Sequence, residues 1–593
     1  MTLRRPSGKD VPVPNPRPQG VFGRRFARDL WRLVRIYWAS PDARIGALLL
    51  LGAIALELAA VRAAVYIADA ERRVFDALGD RDTAAFFAAM GLAVVVILAF
   101  VLASTYRLYV RQRLEIRWRR HVTAYFITRW IGPEAYCQAT LHPEGLDNPD
   151  QRIAEDVRSF VASALGLSLS LLSAVATLYS FGQLLWLMST AWPVRIGSME
   201  WQVPGLMLWV AILYALVATV GTHFVGRALV PINFDRLRAE ADFRYGLVRF
   251  RDNVEPVALA RGQEREREGA LGRFVPVVGN WLQLIGAQRN LTLFTTGIGQ
   301  ANGLLPVLIG APAYFAGRLT LGSLAQTRIA YGQFSGALAW FVNAYQEIAQ
   351  WRASIERLST FLDAIDDTRT RLECEGIRIE PGTTPALQLH DVRLSLPDGR
   401  TLLDGANGRI DAGERVAIIG PAGTGKTTLF RAIAGIWPFG EGRIETPAGA
   451  RSMFLTQRPY LPLGTLRQAL AYPAAADTFA EETVLEVLHF VGLGRLVPRL
   501  DRQESWDQAL SADEQQRVVL ARVLLHEPDW IFADDATASL DEVTERRVYE
   551  IIRGRLPKAT IVSITQRPGV LPYHERRWTM VAGDGGRVTL QAA

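Results

Sequence analysis

The stretch Gly420-Pro421-Ala422-Gly423-Thr424-Gly425-Lys426-Thr427, with Thr428 behind it, decides how the rest of this chain reads. Gly420, Gly425, Lys426 and Thr427 occupy the fixed positions of a phosphate-gripping P-loop. The apolar run Val416-Ala-Ile-Ile419 before it predicts a buried strand, and Leu429-Phe-Arg-Ala-Ile-Ala434 after it predicts a helix. Strand, loop and helix in that order are the context the motif requires. The glycines let backbone N–H groups turn inward around a phosphate, and the helix N-terminus adds its positive end. In such a loop Lys426 reaches the β- and γ-phosphates of ATP, and the Thr427 hydroxyl holds Mg2+. A glycine-rich turn before a core helix is the plainer alternative. Two correct flanks speak against it.

The chain has 593 residues, too many for one domain. Hydrophobic residues make up 49% beside 21% charged ones, so apolar residues are concentrated in part of the chain. The two cysteines, Cys137 and Cys374, stand in unrelated contexts and give neither a disulfide framework nor a zinc site. A net charge of +7 raises the question of nucleic acid. The arginines, however, cluster beside apolar stretches, as on the cytoplasmic flanks of membrane helices, and no nucleic-acid partner is expected. Residues 1–21 are polar and proline-rich, without the apolar core or cleavage site of a signal peptide.

From Phe22 to Trp38, arginines alternate with Phe26, Leu30, Trp31, Val34 and Tyr37, which predicts an interfacial helix on a membrane surface. Six long apolar stretches follow, at 44–67, 85–109, 160–188, 205–229, 282–310 and 323–346. Each can cross a hydrocarbon core of about 30 Å. The first, third and fifth loops between them are short and poor in Lys and Arg, and the third carries Trp192 and Trp201 as interfacial anchors. The second and fourth are long and arginine-rich, and are expected to continue the helices well past the bilayer. Positive-inside then places the N-terminus, both long loops and everything after 350 in the cytoplasm. Glu57, Arg62, His223 and Arg328 fall inside the spans and must face partners or a watery cavity. Glu57 and Arg62 could form a structural pair, and Glu57 could serve a substrate or a proton.

After a polar linker, strand-like runs at 387–396, 415–420, 451–457, 529–534 and 559–564 alternate with helical stretches near 426–435, 480–494, 514–525 and 543–555. That alternation predicts a largely parallel α/β sheet. Asp534, at the end of the apolar strand Trp530-Ile-Phe-Ala533, would hold Mg2+, and Asp535 would orient the attacking water. Gln457 ends another apolar strand as a further Mg2+ and water contact. Leu510-Ser-Ala-Asp-Glu-Gln-Gln-Arg517 opens a helix, and Ala538-Ser-Leu-Asp541 follows Asp534 closely.

The order P-loop, Gln457, Leu510–Arg517, Asp534 and Ala538–Asp541 resembles an ABC-transporter ATPase. Six spans fused to one such ATPase resemble a half-transporter that must pair. Trp118-Arg119, Asn148-Pro-Asp-Gln-Arg-Ile153 with Glu155-Asp156, Glu240-Ala-Asp-Phe-Arg244 and Pro312-Ala-Tyr-Phe-Ala-Gly317 resemble the SbmA/BacA-like group, related to peroxisomal fatty-acyl transporters. The resemblance implies residues 1–42 as tail and elbow helix, 43–360 as a six-helix membrane domain of exporter type, 361–385 as linker and 386–593 as the ATPase. It also implies a homodimer in a bacterial inner membrane, with a heterodimer as the alternative. ATP and Mg2+ are the implied cofactors, and the implied activity is import of a peptide- or corrinoid-like solute.

Three positions depart from that family's pattern. Asp513 stands where the signature has its second glycine, at a helix end that should face the partner's ATP, and a carboxylate there repels phosphate. Ser511 of the signature remains as a donor. Asp535 is one methylene shorter than the usual glutamate. Gln566 replaces the switch histidine and cannot carry a proton. Near Leu396, where an aromatic side chain would stack on adenine, there is none. These departures imply that ATP binds and is hydrolysed slowly. The competing reading is a proton-coupled or nucleotide-gated carrier with a regulatory ATPase domain, using Glu57 or His223.

Overall fold

A computed structural model describes residues 23–132, 148–189, 193–196, 199–374, 376–565, 567–582 and 588–592. Two compact units emerge. One holds the described residues up to Tyr125 and from Asp150 to Ser359; the other holds those of Phe126–Pro149 and Thr360–Ala593. Cys137, Trp192 and Gln566 lie outside the described residues.

The first unit is helical. Ala43–Gly79, Thr83–Trp130, Pro149–Met188 and Leu206–Gly226 are long and apolar enough to cross a membrane by length and composition. In the most apolar windows of these four helices only 22%, 6%, 44% and 6% is buried. Leu48, Leu51, Val95, Leu98, Leu213 and Leu216 stand exposed. A water-soluble helical protein would cover such a surface, whereas lipid solvates it. At a rise of 1.5 Å per residue, the 48-residue helix Thr83–Trp130 is roughly 72 Å long, more than twice a hydrocarbon core. The second loop thus begins as a continuation of its helix, as expected, whereas Leu206–Gly226 ends before the fourth loop, which holds the separate helix Leu229–Asp252 and the start of Gln263–Phe315.

The fifth and sixth stretches come out differently. Residues 282–310 lie within a 53-residue helix, Gln263–Phe315, where Arg289, Asn290, Gln300 and Asn302 interrupt the apolar run. Residues 323–346 are divided between Leu321–Leu338 and Trp340–Cys374, with the break at Ala339. Gln326, Thr327 and Ser335 of the first piece are buried, so neighbouring helices rather than lipid enclose it. Ala330, Tyr331 and Phe334 pack there with Ala68, Phe181, Leu185 and Met207. The approach is close: a Cβ on Gly322 would lie 2.0 Å from the Arg72 carbonyl oxygen.

Buried charges in this unit are paired. Arg107 meets Glu57 at 2.8 Å, which corrects the Glu57–Arg62 pairing. Five residues along a helix put two side chains on different faces, and Arg62 instead lies over the Tyr66 ring, 5.3 Å from its centroid. Asp156, 4% exposed, pairs with Arg152 at 3.0 Å and with Arg357. It sits at the end of a π-helical turn, Arg152–Asp156, and the pair ties Pro149–Met188 to Trp340–Cys374. The elbow helix forms over Arg24–Trp38, with Tyr37 stacked on Trp118.

The second unit is α/β. Its ten-stranded sheet runs in the order Arg378–Pro381, Gly440–Thr446, Leu387–Ser395, Thr401–Ile410, Val588–Ala592, Arg576–Ala582, Arg415–Ile419, Thr560–Ile564, Trp530–Asp534, Ser452–Leu455. The last five pair in parallel. The strand leading into the P-loop sits among them, its Val416 and Ile418 packed with Leu429, Phe430, Phe532, Val562 and Trp578. The stretch 361–385 is more ordered than a polar linker. It holds the end of the helix Trp340–Cys374 and a strand, Arg378–Pro381, paired with Gly440–Thr446.

Candidate nucleotide site

Strand Arg415–Ile419 delivers the chain to a loop that ends on the helix Lys426–Ile433. Gly423 and Gly425 have φ of 82° and 85°, a left-handed backbone that side chains resist. A Cβ on Gly423 would meet nothing within 4 Å, so the loop opens onto free space. The Thr424 hydroxyl donates to the Pro421 carbonyl at 2.9 Å and braces the turn.

Lys426 is 7% exposed, and its ammonium donates to the carbonyls of Gly420 at 2.8 Å and Pro421 at 2.7 Å. Burial pulls its pKa down, while Asp535 and Asp534 pull it back up. Burial pushes Asp534 above the usual carboxylate range, against a hydrogen bond from the Thr427 hydroxyl and the charges of Arg431 and Lys426. Asp535 is pushed up by burial and then by Asp534, against Lys426 and Arg567.

These groups fit ATP with Mg2+. A buried ammonium over an open turn of N–H groups suits phosphate oxygens. Among the described residues, no group of three or more His, Cys, Asp or Glu side chains could form a metal cage. Mg2+ does not need one. It is usually held by one or two protein oxygens with phosphate and water completing the shell, and Thr427 and Asp534 are the residues that would hold it here.

The helix Ala512–His526 begins with a capping box. The Ser511 hydroxyl accepts from the Glu514 N–H at 3.2 Å, and the Glu514 carboxylate accepts from the Ser511 N–H at 3.1 Å. Burial raises the Glu514 pKa, but Arg495 and Ser511 outweigh it and leave the group below its usual range. The Ser511 hydroxyl also donates to the Glu514 carboxylate at 3.3 Å, and that proton would have to turn from Glu514 to reach a nucleotide. Asp513 pairs with Arg517 one turn along, so its charge is balanced within the helix. Gln457 follows strand Ser452–Leu455 and is exposed. Leu396 is half-buried on the edge of the core.

Other residues were not singled out from the sequence. Gln516, 5% exposed, donates to the Gln457 carbonyl at 3.4 Å and accepts from the Ser539 N–H at 3.1 Å, so it links the two loops. Arg567 and the buried Glu545 hold Thr537–Leu540. Gln516 lies inside the quoted signature string, and Arg567 beside Gln566, but no spacing rule reveals either partner.

Two family models match the chain: "ABC transporter transmembrane region 2" over residues 33–315, and "ABC transporter" over residues 403–538. The inner membrane ABC transporter ATP-binding protein YddA of Escherichia coli is 30% identical over 544 residues, 91% of this chain and 94% of that protein. The human lysosomal cobalamin transporter ABCD4 is 24% identical, over 84% of this chain and 86% of its own length. A bacterial Atm1-family ABC exporter with ATP bound shares the fold, with a TM-score of 0.68 at 19% identity over 91% of this chain and 94% of that one. The chain therefore belongs to the ABC transporters, as a half-transporter that fuses a membrane domain to an ATP-binding domain.

Proposed function

We propose that two copies of this chain form a homodimer in a bacterial inner membrane, with the N-terminus and the ATPase domain in the cytoplasm. The dimer binds MgATP and moves a hydrophilic or amphipathic solute, peptide- or corrinoid-like, into the cell. Membership of the SbmA/BacA-like group is part of the same reading. The observation that carries it is the buried Lys426 ammonium over an open phosphate loop, with the Thr427–Asp534 pair alongside. The inner-membrane relative supports the location, and the cobalamin transporter supports the solute class. Domain closure on ATP would turn the membrane cavity from one face to the other. Asp535, one methylene short, keeps hydrolysis slow.

The test is made on the native chain in lipid vesicles. ATP retention on filters is expected to fall roughly tenfold to a hundredfold in Lys426→Ala, matching the loss of a charge-assisted hydrogen bond of about 1.5–3 kcal/mol. Labelled cobalamin or a short cationic peptide, preloaded into vesicles whose ATPase domains face outward, should leave the lumen when ATP is added outside and stay there without it. Equal retention in Lys426→Ala ends the reading. Solute uptake driven by a pH gradient alone would favour the carrier with a regulatory ATPase domain. Asp513, Asp535 and Gln566 are the residues that favour that second reading, while the Arg107 partner of Glu57 speaks against a free proton site there.

A further inference from the structure

Arg567 follows Gln566 and reaches back across the site. Its guanidinium donates to the carbonyls of Leu540 at 2.9 Å, Ala538 at 2.9 Å and Thr537 at 3.4 Å. Glu545, 3% exposed, lies 3.2 Å from it and accepts the Thr537 hydroxyl at 2.6 Å. The start of the same segment is fixed too. The Asp535 N–H donates to the Ile564 carbonyl at 3.1 Å, and the Ala538 N–H to the Asp535 carbonyl at 3.0 Å. Asp535 itself has φ of 46°, a left-handed backbone that needs support from its surroundings.

We propose that Arg567, seated on the buried Glu545, is the positioning residue that sets where the Asp535 carboxylate stands. The proposal rests on the functional reading above, in which MgATP binds beside Asp535. Three carbonyls within four consecutive residues, taken through both terminal nitrogens, suit a planar five-donor fork and not a point-charge ammonium. Loss of the fork frees the loop that Asp535 heads, and a misplacement of about 1 Å costs roughly 10²-fold in rate. The phosphate-holding residues are untouched, so the loss falls on the chemical step and not on binding.

The experiment uses the full chain in lipid nanodiscs, with radiolabelled ATP followed under single turnover for a day. In Arg567→Lys, ATP retention and the KM for ATP are expected within about threefold of native, with phosphate release slowed tenfold or more. Thr537→Val keeps Arg567 and removes only its brace through Glu545. It should slow release by a smaller factor at native affinity, and it carries the test if Arg567→Lys does not fold. Native release rates in both variants overturn the proposal. So do parallel losses of binding and rate, which mark a merely structural role. A native chain that binds ATP but releases no phosphate overturns it as well, since no reaction is left to position. A native chain that retains no ATP sinks the functional reading itself, and the proposal with it.

Discussion

Asp535 occupies a left-handed backbone that aspartate tolerates better than glutamate, because its short carboxylate bonds locally. Its identity here has a conformational side as well as a chemical one. Asp535→Glu with Gln566→His is expected to raise ATP turnover by one to two orders of magnitude, given the rate cost of about 1 Å of misplacement. The same change should lower the melting temperature, at a backbone cost of about 1 kcal/mol. Phosphate release and a thermal scan on one preparation check both. The P-loop and Asp534 were legible because their spacing and flanks are fixed by phosphate geometry. Glu545 and Arg567 were not, since they meet only when the chain folds back on itself.

At the scale of elements, the helix Ala512–His526 is the informative one. The sequence alone makes Asp513 a repulsive charge at a helix end, but the structure gives it Arg517 as partner. Arg517→Met should therefore expose that charge and weaken ATP-driven dimer closure several-fold, by light scattering or spin-label distance, while Asp513→Gly with Arg517→Met should restore it. Unchanged closure in Arg517→Met would show that the pair shields nothing. Long apolar helices were readable from hydropathy. The break at Ala339 was not, because burial of Gln326, Thr327 and Ser335 by neighbouring helices cannot be read from local composition. Among strands, the parallel core was evident as short apolar runs. Thr401–Ile410 and Gly440–Thr446 were missed, their alternation broken by Gly405, Gly408, Gly440 and Gly442.

For the whole molecule, ABC half-transporters generally work as dimers, and in the proposed pair each chain would lend its signature helix to the other's nucleotide. In a homodimer both sites then carry Asp513, Asp535 and Gln566. The mass in detergent, by light scattering corrected for the micelle, is expected to be that of two chains, and a single-chain mass in the presence of ATP would refute the pairing. The order of the large sheet has one more outcome. Arg576–Ala582 pairs in parallel with Arg415–Ile419, the strand that carries the phosphate loop, and the Met580 carbonyl lies 2.8 Å from where a Cβ on Gly420 would be. A nascent chain emerging from the ribosome thus exposes its nucleotide pocket long before the flanking strand is made. The phosphate loop is therefore closed in only once the strand Arg576–Ala582 has been made.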